Sequence, residues 1–190
     1  QVIVDEPTYP GVVDLLAARD LQPLALPRLA GSIDVDQLAR LVNDSKCNLA
    51  YLQTSVHNPT GLVSDEAGLR RLATAADRLR LMVIEDSVLA DLRFDGSRPT
   101  PLAARVKQAE TVVVGSVSKL GWGGLRIGWL RAPKAMVARI VRSRLADDLG
   151  SSRPSQVISA AVLGNFEVIA ESRQRTLSRR ADLARELLEQ

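Results

Sequence analysis

In the stretch GSVSKLGWGGLRIGW (115–129), Lys119 follows two serines and precedes a glycine-rich run, with Arg126 seven residues on. A lysine amine forms a Schiff base with an aldehyde. The hydroxyls of Ser116 and Ser118 and the guanidinium fork of Arg126 suit the oxygens of a phosphate, and Gly121, Gly123 and Gly124 let backbone approach such a group. Three more polar clusters each follow an apolar run: DEPTYPG after VIV (2–4), SVHNPTG (55–61) after LAYLQT (49–54), and Asp86 at the close of LMVIED (81–86). From these, Tyr9 offers an aromatic face and Asn58, fixed before a proline, an amide. Asp86 offers a carboxylate whose burial opposes ionisation unless a cation offsets it.

These groups need a scaffold that brings them together, and the pattern of the chain predicts one. Short apolar runs alternate with amphipathic stretches, the pattern of an α/β fold with a mostly parallel sheet flanked by helices. Strands are predicted at 2–4, 24–27, 49–54, 81–86, 111–116 and 126–130. Three of them are near-continuous apolar runs, as in strands covered on both faces. Helices are predicted at 9–20, 34–44, 64–80, 133–149, 155–166 and 167–190. Pro10 sits near the first turn of the first, an aspartate opens the second, and Ser64 with acidic residues opens the third. The last carries an apolar stripe of Val168, Leu177, Ala181, Ala184 and Leu188, and 97–106 reads as a connecting loop. In open sheets of this kind ligands sit outside the carboxyl ends of the strands, where all four polar clusters fall. A phosphate, a protonated ring nitrogen, a phenolic oxygen, a flat ring and an aldehyde describe pyridoxal 5′-phosphate, and the chain offers one group for each.

Composition narrows the alternatives. The 190 residues suffice for one sizeable core, and with 3% aromatics that core is built from Leu, Val, Ala and Ile. A net charge of +3, with the late arginines interleaved with glutamates, reads as a solvated helix face rather than a nucleic-acid stripe. One cysteine, Cys47, excludes an internal disulfide, fits a reducing cytoplasm and reads as a buried small residue. One histidine, His57, argues against zinc and reads as structural or as a support behind the site residues. No apolar run approaches 18 residues, which excludes a membrane-spanning helix. Singly, each site residue has an ordinary reading: Lys119 as a solvated lysine, Asp86 as a turn carboxylate, Tyr9 as a packed aromatic. Glu85 and Asp91 read as solvent or turn carboxylates, and Trp122 and Trp129 as packing residues near the loop, with Trp122 also placed to flank a cofactor.

EPTYPG, NPTG, VIED, GSVSK and GGLRIGW occur in the order and rough spacing of the fold-type I aminotransferases of class I/II, which the chain resembles over nearly its whole length. The resemblance implies the large domain of that fold over residues 1–190. It implies Lys119 as the Schiff-base lysine, Asp86 as the partner of the pyridine N–H, Asn58 as donor to the ring hydroxyl oxygen and Tyr9 as the stacking aromatic. Ser116, Ser118 and Arg126 would form the phosphate cup. DLRFDGSRPTPLAA (91–104) and SKLGWGGLRIGWLRAP (118–133) further resemble the aminotransferase-like domain of MocR-type GntR transcription regulators. That subgroup implies a homodimer in the full-length parent, an amino acid or amine effector acting with pyridoxal phosphate, and DNA contact only through a preceding winged helix. One position departs: three residues after Asp86, where the family usually has a tyrosine bonding the ring oxygen, stands Leu89. The chain opens on a strand in progress and stops inside a helical run, so a fragment is expected. Three functions follow in order: an effector-sensing and dimerising domain, a genuine aminotransferase, and a degenerate domain without cofactor.

Overall fold

The computed structural model describes residues 1–29, 32–94, 97, 100–144, 148 and 150–189. Seven strands, β1 (Val2–Glu6), β2 (Pro23–Leu29), β3 (Ser32–Ile33), β4 (Leu49–Leu52), β5 (Met82–Asp86), β6 (Thr111–Ser116) and β7 (Gly128–Arg131), form one sheet in the order β3-β2-β1-β4-β5-β6-β7. The inner pairs are parallel, and β3 and β7 run antiparallel at the two edges. The helices are α1 (Pro10–Ala17), α2 (Val35–Ser45), α3 (Glu66–Leu79), α4 (Val117–Leu120), α5 (Lys134–Arg144), α6 (Arg153–Gly164) and α7 (Phe166–Leu188).

Strand alternation sorts the core into two layers. Ile3, Ala50, Leu52 and Val83 point to one face, where Leu38 of α2 and Leu72, Ala73 and Ala76 of α3 cover them. Val2, Val4 and Tyr51 point to the other, beneath Val12 and Leu16 of α1. Each fully buried leucine of the first layer contributes about 1.5–3 kcal/mol through area removed from water. Asp34 caps α2, accepting from Asp36 N–H at 3.0 Å and Gln37 N–H at 2.9 Å. Asp65, rather than Ser64, caps α3 through Gly68 N–H.

Several expectations shift for local reasons. β3 and α4 are too short for a periodic signal. β7 starts at Gly128 because Arg126, with φ +53°, closes a 3₁₀ turn over Gly123–Leu125 before the strand can begin. The predicted loop at 97–106 contains a 3₁₀ turn, Leu102–Ala104, that buries Leu102 completely; its residues 98 and 99, and residues 95 and 96 of the 91–104 motif, lie outside the described residues. So do residues 145–147 and 149 of the predicted helix 133–149, and residue 190.

The stripe predicted along α7 faces inward only at its middle: Leu177 and Ala181 are half-buried, whereas Ala184 is exposed and Val168 and Leu188 are 71% and 87% exposed. The helix also turns Ala170, Arg173 and Gln174 toward the sheet end. Arg173 Nε donates to the Lys119 carbonyl at 3.1 Å and Gln174 Nε2 to the Asp91 carbonyl at 3.3 Å. Backbone acceptors thus add to the buried Ala170 on that face. No helix of the described residues is long and apolar enough to cross a membrane.

Candidate cofactor site

The carboxyl ends of β1, β4, β5 and β6 open onto a cavity of about 260 Å³. Tyr9, Asn58, Asp86, Ser116, Ser118, Lys119 and Arg126 all line it, so the residues singled out along 118 positions of sequence share one space. Gln53, Val88 and Leu89 complete the lining.

Each side chain is held by the element beneath it. Tyr9 precedes α1 as its N-cap residue and its ring lies over Gly11, where an added Cβ would sit 2.5 Å from the ring. Asn58 donates its backbone N–H to Gln53 Oε1 at 2.6 Å, which leaves its side chain to the cavity. Ser116 caps α4: its hydroxyl oxygen accepts from Ser118 N–H at 3.1 Å and donates to the Ile127 carbonyl at 3.2 Å. In this arrangement the Ser116 hydroxyl shapes the turn carrying Ser118 and Lys119. Among the described residues, neither the Lys119 ammonium nor the Arg126 guanidinium has a hydrogen-bonding or ionic partner. Two cations therefore face one cavity across from the half-buried Asp86 carboxylate.

Asp86 is anchored at both oxygens. The Tyr51 hydroxyl donates to Oδ2, and Val88 N–H donates to Oδ1 at 2.8 Å. Burial, and after it the Asp86 charge, push the Tyr51 phenol far above its usual range, so it stays a proton donor. Tyr51 escapes a reading of the sequence because, within LAYL, it has the look of one more core residue; its spacing of two from Gln53 was the available signal.

Behind this rim lies a buried polar network. Asp5 is fully buried and accepts from Arg28 Nε at 3.2 Å and from Gln53 N–H at 2.8 Å. Arg28 also donates to the Gln53 carbonyl at 2.5 Å. His57 Nε2 lies 2.9 Å from the Pro7 carbonyl and Nδ1 lies 2.7 Å from Thr60 Oγ1. A carbonyl only accepts, so Nε2 carries the proton of the neutral ring and Nδ1 accepts from the threonine. The network ties the β1 end, with Tyr9, to the 55–61 turn, with Asn58.

Burial first, and the Arg28 charge next, hold His57 below its usual value. The unfolded chain therefore takes up this proton before the folded one does, and stability falls as pH falls below about 6.5 toward the folded value. We expect the urea midpoint to drop between about pH 7 and pH 5, and His57→Gln to flatten that segment of the profile. An unchanged profile would show that His57 titrates alike in both states.

Other sequence readings change here. Glu85 is no surface carboxylate: it is 1% exposed and accepts from Thr54 Oγ1, Leu102 N–H and Ala103 N–H at 2.5, 2.8 and 3.1 Å. Trp122 and Trp129 pack near the loop as expected, their rings over Gly124 and Gly115, and remain 67% and 43% exposed. Cys47 is buried, as its type suggests. Among the described residues no three His, Cys, Asp or Glu side chains are grouped to hold a metal.

The same architecture occurs in solved structures. N-succinyldiaminopimelate aminotransferase from Mycobacterium tuberculosis is similar with a TM-score of 0.84 at 29% identity, over 99% of this chain and 50% of that one. A pyridoxal-phosphate-bound C-S lyase from Staphylococcus hominis shares the fold, with a TM-score of 0.83 at 19% identity, over 100% and 50%. The architecture is thus that of the fold-type I pyridoxal-phosphate-dependent aminotransferases. The model of the aminotransferase class I and II family matches residues 1–190, and the chain belongs to that family. Its relatives include both enzymes and regulators: the uncharacterized HTH-type transcriptional regulator YisV of Bacillus subtilis is 28% identical over 190 residues, 99% of this chain and 39% of that protein. The chain spans half or less of the length of these relatives.

Proposed function

We propose that this chain is a pyridoxal-phosphate-binding domain that senses an amino acid or amine and dimerises within a GntR/MocR-type transcription regulator. The observation that carries the reading is the shared cavity, in which a partnerless lysine and arginine face an anchored aspartate while Leu89 presents no hydroxyl. The donor set fits the cofactor group by group. Arg126, Ser116 and Ser118 would hold the phosphate, Asp86 the ring nitrogen, Asn58 the ring oxygen, Tyr9 the ring face and Lys119 the aldehyde carbon. When bound, the cofactor supplies a carbonyl that takes up amines and a ring that accepts electron density. Lys119 would hold the aldehyde carbon and would be the group that an incoming amine displaces. Leu89, which lines the cavity without a hydroxyl, would offer the ring oxygen no hydrogen bond, and that would favour capture of an amine over rapid turnover.

The similarity to the regulator YisV supports the sensor reading. The 29% identity to an aminotransferase favours a second one, amino-group transfer from an amino acid to a 2-oxo acid. A cofactor-free domain would have no use for Lys119, Asp86, Asn58 and Arg126 around one cavity. The test is the full-length protein with pyridoxal phosphate and a panel of amino acids and amines. The sensor reading expects one of them to alter the cofactor spectrum once, shift DNA affinity and stop there. Sustained conversion in the presence of a 2-oxo acid, at about 1 s⁻¹ or faster, would establish the aminotransferase instead.

A further inference from the structure

We infer that Tyr51 is a positioning residue for the cofactor's ring nitrogen, acting through Asp86; the inference rests on the cofactor reading above. Tyr51 sits on β4, whose register sets it beside Ile84 of β5, two residues before Asp86. Both residues therefore project to the same face of the sheet. Tyr51 is 9% exposed and packs with Val4, Val12 and Leu16, so its ring has little freedom to swing.

Its hydroxyl donates to Asp86 Oδ2, while the chain's own turn supplies Val88 N–H to Oδ1 at 2.8 Å. Two donors from two elements fix the carboxylate plane. Each oxygen keeps a second acceptor direction for a donor inside the cavity. A carboxylate held in this way would meet a ring N–H with its oxygens already oriented. Leu89 lines the same cavity without a hydroxyl, so the phenol that conditions this site reaches it from β4 rather than from the turn after β5. Tyr51 does not line the cavity; it touches the group that does.

The test compares pyridoxal phosphate with its carba analogue, in which C–H replaces the ring nitrogen, on full-length wild-type protein and on Tyr51→Phe. The variant keeps the ring and its packing and removes one oxygen. For pyridoxal phosphate we expect the dissociation constant to rise about tenfold, and for the analogue to stay within about twofold. In an Asp86→Asn background, Tyr51→Phe should add no further loss for pyridoxal phosphate, because its effect runs through that carboxylate. Equal weakening of both ligands would mark Tyr51 as packing alone and overturn the inference. So would undiminished pyridoxal phosphate binding by Tyr51→Phe, or the full tenfold loss persisting beside Asp86→Asn. Wild-type protein binding neither ligand would instead overturn the cofactor reading, and this inference with it.

Discussion

Lys119→Ala is expected to abolish the visible absorbance that the full-length protein should acquire with pyridoxal phosphate, and to weaken retention of the cofactor on the order of a hundredfold. Lys119 is the one primary amine among the residues lining the cavity. No described residue bonds its ammonium, so the substitution removes chemistry and leaves the local hydrogen bonds in place. The Lys119 carbonyl, not its side chain, is what α7 holds through Arg173. Folding should therefore be spared, and far-ultraviolet circular dichroism checks this. Arg126 and Asp86 remain in the variant, so residual binding by phosphate and ring contacts is expected. A variant that keeps the full visible band would mean that another amine carries the cofactor.

The second large effect is on stability. Arg28→Met should destabilise the fold by about 3–5 kcal/mol, the usual cost of leaving one member of a buried ion pair alone. The Arg28 side chain is 4% exposed and the Asp5 side chain 0%. Removing the guanidinium also strips a donor from the Gln53 carbonyl. Burial already raises the Asp5 carboxyl, against the pull of Arg28 and the Gln53 N–H, and losing Arg28 raises it further. A folded value above the unfolded one means stability that is present at acid pH and lost as pH rises through the folded value. The gap between wild type and variant should therefore narrow as pH falls toward about 4, the ordinary carboxylate range. Adding Asp5→Asn should recover part of the loss at neutral pH. Urea unfolding of the three proteins measures all of this, and a loss below about 1 kcal/mol would show that the pair is not desolvated as described.

These two residues also mark how far the sequence can be read. Lys119, Asp86, Asn58 and Tyr9 were legible because each follows an apolar run, and parallel strands deliver their ends to one edge. The strands themselves were legible for the same reason: VIV, LAYL and TVVV are covered on both faces and read as unbroken apolar runs. The Asp5–Arg28 pair was not legible, since DEP and PRL look like charges leaving a strand until β1 and β2 are laid side by side in register. Tyr51 and Glu85 were hidden the same way, as polar atoms within strands whose partners lie on a neighbouring strand or a distant turn. The inward face of α7 was legible only in part, at Leu177 and Ala181; its contacts to the carbonyls of Lys119 and Asp91 were not, since carbonyls leave no trace in hydropathy. Sequence pattern locates what depends on one element; what depends on register needs coordinates.

The assignment of Lys119 as the covalent anchor is the claim on which the functional reading turns, and chemical reduction tests it directly. Full-length protein incubated with pyridoxal phosphate, treated with borohydride and digested should carry the phosphopyridoxyl mass on the peptide containing Lys119, at near one equivalent per chain. The mass on any other lysine, or on none, would contradict the site.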